Sequence, residues 1–256
     1  MRSFLAAVQL LTVAPVRARF TAEERTRSLA FFPLVGALLG LLLAGAGWAL
    51  ARGLPDAATS ALVVALMLLL TGGLHLDGLA DTCDGLGARG PVEERWRVMS
   101  DSRVGGYAVM GAVSVLLLKY AALSASPDDV RAAALIVAPV AGRWAMAFAA
   151  TVYPYAKPSG LGHSFAAGAG KGALGIATVV ALAACLLTAP VEGAAAAGCA
   201  LVVVWGLGYF LSRRFAGLTG DNYGAINEVV EVAVFVVMLA FADNGWSPLE
   251  IPWWTG

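Results

Sequence analysis

The chain has 256 residues, 59% of them hydrophobic and only 13% charged, with a mean hydropathy of +0.78. Average soluble domains carry roughly 25% charged residues, so this composition excludes an ordinary soluble globule and indicates a polytopic helical membrane protein. The formal net charge of zero removes the electrostatic basis of a nucleic-acid surface, and Cys83, Cys185 and Cys199 are too scattered for a paired metal motif or a disulfide framework.

In chain order, SFLAAVQLLTVAPV comes first. It is apolar but too short to cross a bilayer and has no convincing cleavage site, so it reads as an interfacial or re-entrant helix. Seven longer apolar segments follow, at about 29–50, 57–74, 105–124, 131–152, 172–190, 194–211 and 225–242. Their abundant glycine and alanine suit close helix packing in lipid. The expected fold is therefore all-α, a single integral membrane domain over 1–256 with about seven transmembrane helices plus the short N-terminal helix. The bilayer is its first partner, and the sequence is compatible with a homo-oligomer.

Arginine and lysine set the orientation. One set of loops holds 13 of the 17 basic residues, from Arg2 through Arg214, whereas the opposite loops hold only Arg52 and Arg131. This predicts a cytoplasmic N-terminus and cytoplasmic loops at 75–104, 153–171 and 212–224, in a cell (inner) membrane. Polar chemistry concentrated on one face suggests an enzyme acting on cytosolic substrates. A cation-coupled transporter is the alternative, although its ionisable residues more often lie near the midplane.

The second span runs into GGLHLDGLADTCDGLGAR. Asp77, Asp81 and Asp84 stand at i, i+4 and i+7, and fall on one face if the helix continues. Clustered oxygen ligands suit a hard divalent cation, Mg²⁺ or Mn²⁺, completed by water and substrate phosphate. Glycines 72, 73, 78, 85 and 87 would let a bulky anion approach the backbone. Arg89 and Arg103 are candidates for phosphate oxygens, while Arg95 and Arg97 read better as topology-determining surface charges. Asp101, in MSDSRVGGYAVMG, is either a helix N-cap or a fourth metal ligand. His75 lies opposite the aspartates in projection and is a candidate for binding substrate phosphate rather than metal.

Further along, Lys119 reads as a snorkelling residue near the outer end of its span. Arg143 lies mid-span and either binds phosphate or pairs with a glutamate. His163, in KPSGLGHSF, reads as a loop histidine. In GLTGDNYGAINEVVEV, Asp221 sits in a glycine turn and Glu228 and Glu231 follow within an apolar helix. A carboxylate there costs roughly 2–3 kcal/mol unless paired or facing a polar cavity. Glu228 is accordingly a general base, a metal ligand, or one half of an internal ion pair.

GGLHLDGLADTCDG, MSDSRVGGYA and GLTGDNYGAINE, together with FLAAVQLLTVAPV and RSLAFFPLVGALLG, resemble the cobalamin synthase family, the adenosylcobinamide-GDP ribazoletransferases. The likeness runs over essentially the whole chain. It implies an integral, Mg²⁺-dependent enzyme joining α-ribazole or its 5′-phosphate to adenosylcobinamide-GDP, with release of GMP. A ribose 3′-hydroxyl would attack the phosphorus bound to the cobinamide aminopropanol. Asp77, Asp81 and Asp84, with or without Asp101 as a fourth carboxylate, would hold metal on the pyrophosphate, Arg89 and Arg103 would take phosphate oxygens, and Asp221 or Glu228 would accept the hydroxyl proton. DGLGAR also resembles half of the CDP-alcohol phosphotransferase pattern, through Asp81, Asp84, Gly85, Ala88 and Arg89, but the second half is absent. A lipid headgroup transferase is thus the nearest enzyme alternative.

Overall fold

The computed structural model describes residues 1–157, 165 and 170–243; His163 lies outside them. Within these, regular structure is helical, and one isolated parallel bridge joins Tyr155 to Leu218. The helices are α1 (Arg2–Leu11), α2 (Ala22–Ser28), α3 (Phe32–Ala51), α4 (Asp56–Thr71), α5 (Leu74–Gly87), α6 (Val92–Met99), α7 (Gly106–Ala125), α8 (Asp128–Val152), α9 (Lys171–Thr188), α10 (Pro190–Phe215) and α11 (Gly220–Asp243). A 3₁₀ turn at Leu29–Phe31 joins α2 to α3.

Among the described residues, six helical stretches are long and apolar enough to cross a membrane. A seventh arises when α4 and α5 count as one span broken by a 90° bend. The second span therefore does not run straight to 74, as hydropathy suggested. It ends at Thr71, and Gly72 and Gly73 turn the chain with φ of 63° and 71°. That left-handed backbone costs an L-residue roughly 1–2 kcal/mol, so two consecutive glycines concentrate the bend there.

The bundle is organised around α8. Its apolar window is 72% buried, against 17% for α9 and 28% for α10, so α8 forms the core while those two present leucine and valine to lipid. Lipid tails are as apolar as leucine, so close packing rather than water exclusion holds the helices together. A Cβ on Gly40 of α3 would lie 2.6 Å from the Ile136 Cα, and one on Gly36 would strike the Pro139 carbonyl. These small residues let α3 and α8 approach backbone to backbone.

The N-terminal segment forms a short helix that packs against the bundle. Ala6, Ala7 and Leu11 of α1 are buried, Phe4 meets Phe31 edge to face at 6.0 Å, and the Val13 amide donates to the Leu70 carbonyl at 2.9 Å. The last bond pins the N-terminal segment beside the elbow between α4 and α5.

Candidate active site

The acidic face is assembled where α5 crosses the first turn of α11. A Cβ on Gly78 would lie 2.7 Å from the Asp221 carbonyl oxygen, and one on Gly224 would lie 3.0 Å from the His75 carbonyl oxygen. Glycine at both positions lets the two backbones touch, which brings Asp221 to the face that carries Asp77 and Asp81. Asp81 lies within electrostatic range of the like charges of Asp221, Asp77 and Asp84 and of the opposite charge of Lys157. Gly85 and Gly87 serve packing too, because a side chain at either would collide with Met99 or Tyr107. The expectation that glycines 78, 85 and 87 admit a substrate is thus corrected. Neighbouring protein already occupies that space.

Asp221 is presented by a capped helix start. The Thr219 hydroxyl accepts from the Asn222 amide at 3.3 Å, and the Asn222 side-chain oxygen accepts from the Thr219 amide at 3.0 Å. This reciprocal pair satisfies two amides at the helix start. The Asn222 side chain also donates to the Thr82 hydroxyl at 3.0 Å, tying α11 to α5, and Thr219 donates to Asp221 at 3.3 Å. The preceding loop pairs with residues 154–156: Leu218 donates to the Pro154 carbonyl and Ala156 donates to the Leu218 carbonyl, each at 2.8 Å. Gly217 makes this pairing feasible, since its φ of 125° disfavours other residues and a Cβ there would meet Pro154 and Ala156 at 2.8 Å. Lys157 follows directly, which brings it within electrostatic range of Asp81 and Asp221.

The candidate residues now separate. Asp77 is exposed and Asp81 half-buried, and neither carboxylate has a hydrogen bond or ion pair among the described residues. Asp84 differs: its carboxylate accepts from the amides of Gly105 at 2.7 Å and Ala108 at 2.9 Å. It caps α7 from a neighbouring helix, where a negative charge meets the positive end of the helix dipole. Asp101, expected as N-cap or metal ligand, caps no helix. It accepts from the backbone and guanidinium of Arg103, down to 2.7 Å, and these bonds hold its carboxyl at about 2. Arg103 is correspondingly engaged, while Arg89 is exposed. Arg97 binds Glu94 through two bonds at 2.6 and 2.8 Å, in keeping with a surface role, whereas Arg95 has a buried Nη1 without a partner.

Among the described residues, no three His, Cys, Asp or Glu side chains converge to enclose an ion by themselves. Two partnerless carboxylates one turn apart nevertheless fit a hard cation that takes its remaining ligands from water and phosphate.

Deeper in the bundle lies a second charged cluster. Lys119 donates to Glu228 at 2.7 Å and to Glu231 at 2.5 Å, and Arg143 also binds Glu231. Arg143 Nη2 lies 3.4 Å from His75 Nδ1, and the Asn227 amide donates to Glu231 at 3.1 Å. Two cations face two carboxylates, so the group is neutral overall. It borders a cavity of about 10 Å³, room for roughly one water. Lys119 is 2% exposed, which corrects the snorkelling reading: it turns inward because two carboxylates wait there. Glu228 and Arg143, considered above as base and phosphate ligand, are both paired inside the bundle. His75 points the same way, which agrees with its projection opposite the aspartates.

The sequence matches a family model described as cobalamin-5-phosphate synthase over residues 3–239. The chain belongs to that family. Three curated relatives are called adenosylcobinamide-GDP ribazoletransferase. The one from Geotalea daltonii is 40% identical over 95% of this chain and 99% of its own, and that from Pseudomonas savastanoi pv. phaseolicola is 41% identical over 93% and 99%. The one from Desulforamulus reducens is 37% identical over 91% of this chain and 94% of its own. No solved structure matches. The half-motif shared with CDP-alcohol phosphotransferases is therefore a local likeness within a cobalamin synthase.

Two features of this family member escaped the sequence reading. Lys157 is one of the 13 basic residues that set the orientation, and nothing local marks it further; only the 154–156 pairing with Leu218 carries it to the acidic face. Arg95 reads as a surface charge from sequence, and its buried, partnerless Nη1 appears only once α6 has packed.

Proposed function

We propose that the protein is an adenosylcobinamide-GDP ribazoletransferase whose site faces the cytoplasm of a bacterial cell, with its N-terminus on that side. Membership of the cobalamin synthase family supports the activity, and the clustering of basic residues in one set of loops supports the orientation. The observation that carries the site assignment is the juxtaposition of partnerless Asp77 and Asp81 with Asp221 at the α5–α11 crossing.

In this reading Asp77 and Asp81 hold Mg²⁺, with Mn²⁺ as a substitute. When bound, the ion neutralises charge on the pyrophosphate and draws electron density from the phosphorus. Lys157 offsets the acidic face and takes a phosphate oxygen, with Arg89 and Arg95 as further cationic contacts. Asp221, partly buried and one helix away, accepts the proton of the ribose 3′-hydroxyl. The new bond joins that oxygen to the phosphorus on the cobinamide aminopropanol. The bond from this phosphorus to the bridging oxygen breaks, its electron pair stays on GMP, and adenosylcobalamin or its 5′-phosphate is the product. Asp84 and Asp101 are left out of the metal set because α7 and Arg103 occupy their oxygens. Glu228, Arg143 and His75 act at a distance, by fixing α5 against α8 and α11.

The test is GMP release from adenosylcobinamide-GDP and α-ribazole by purified protein in nanodiscs, where no ion gradient exists. Wild type turns over with Mg²⁺ and stops with EDTA, and Asp81→Asn loses at least 100-fold. Unchanged, EDTA-insensitive turnover by Asp81→Asn would remove the metal assignment. Absence of turnover without a gradient would favour the transporter reading.

A further inference from the structure

The elbow between α4 and α5 opens a groove of about 730 Å³ against the acidic face. Leu10 of α1 and Ala112 of α7 form its walls, and Leu74, Leu76, Asp77 and Ala80 of α5 line its floor. The groove is shallow and open along one side, with a volume within the roughly 300–1,000 Å³ that compact organic ligands occupy. The groove is bare at its head, since a Cβ built on Gly73 would meet nothing within 4 Å.

Its polarity is graded along one helix. Leu74, Asp77 and Asp81 succeed one another on the same face of α5 at three- and four-residue steps. The elbow end is therefore apolar, the middle carries Asp77, and the far end is the site proposed for phosphoryl transfer. A ligand lying along this face needs an apolar head and hydroxyl groups about one helical turn away, with its reacting oxygen toward Asp81 and Asp221.

We propose that this groove is the subsite for the nucleoside acceptor, taking a planar, apolar bicyclic base at the elbow and directing the ribose over Asp77. The assignment rests on the ribazoletransferase reading. The macrocycle of the donor carries amide side chains around its rim, which leucine and alanine walls do not satisfy. Its guanine carries polar edges that the leucine and alanine walls do not satisfy. A lipid chain fits the apolar end but would lie against the unpaired Asp77 carboxylate, at a high desolvation cost. A benzimidazole-type base with a sugar attached meets both ends of the gradient.

Groove-filling variants test this. In nanodiscs, Ala112→Phe raises the KM for α-ribazole at least tenfold and leaves the KM for adenosylcobinamide-GDP within twofold. Leu74→Ala, which removes an exposed floor contact without crowding the bundle, raises the acceptor KM about threefold or more and covers the case in which Ala112→Phe does not fold. Equilibrium dialysis of tritiated α-ribazole without donor repeats the comparison independently of turnover, with weaker retention by both variants. An unchanged acceptor KM and unchanged retention overturn the proposal, as does a rise confined to the donor KM. Loss of co-purifying phospholipid from the variants with unaltered α-ribazole binding identifies a lipid slot and also overturns it. If wild type binds α-ribazole through the groove but releases no GMP, the reaction assignment fails while the subsite stands.

Discussion

Replacing Lys119 with methionine should expose how strongly the buried charges hold the bundle. The lysine bridges Glu228 and Glu231 at 2.7 and 2.5 Å, and all three side chains are 5% exposed or less. Methionine fills similar volume but leaves two carboxylates facing one guanidinium, that of Arg143. Removing one partner of a buried ion pair generally costs about 3–5 kcal/mol, because the remaining charge is neither solvated nor compensated. A single unmatched carboxylate within a membrane helix costs about 2.5–3.5 kcal/mol on insertion scales. The two figures agree on a loss near 3 kcal/mol. Unfolding in mixed detergent micelles titrated with SDS measures it. Glu228→Gln added to Lys119→Met restores charge balance, with Arg143 facing Glu231 alone, and should recover about 2 kcal/mol of the loss. A single variant within about 0.5 kcal/mol of wild type would refute the reasoning, since that is the scatter of neutral surface changes. So would a double variant no more stable than the single.

Gly78→Ala places a Cβ 2.7 Å from the Asp221 carbonyl and must push α11 away from α5; turnover should fall about 100-fold through misplacement of Asp221, with a stability loss of about 1–3 kcal/mol, read from kinetics and thermal unfolding in parallel. Asp84→Ala removes the cap on Gly105 and Ala108 and should cost about 1–2 kcal/mol, while Asp84→Asn retains one oxygen acceptor and loses less; a selective rise in the Mg²⁺ needed for half-maximal rate in the asparagine variant would instead mark Asp84 as a ligand. Asp101 should titrate at about 2 rather than 3.8, so its contact with Arg103 is complete above pH 4 and is lost as the pH falls through about 2; ¹³C carboxyl shifts of labelled aspartate follow it, and an ordinary midpoint would show that the pair does not form in solution.

The hydropathy of the chain determined by itself that this is an all-α, multi-pass membrane protein, because each span is a local run of apolar residues that must satisfy its own backbone hydrogen bonds in lipid. Local spacing likewise put Asp77, Asp81 and Asp84 on one face of α5, and the polar motifs in order carried the family resemblance. What those three carboxylates do was not local. Asp84 turned to α7, 21 residues onward, while Asp77 and Asp81 met Asp221 only because Gly78 and Gly224 permit a close crossing. Lys119 reached carboxylates 109 and 112 residues away, so its inward direction depended on which helices became neighbours. The elbow was hidden for the same reason: apolar residues continue past Gly73, and hydropathy does not register a change of helix direction. Composition sets which segments enter the bilayer, but the pairing of polar groups inside it follows from helix contacts between residues far apart in the chain. Those contacts belong to the tertiary structure.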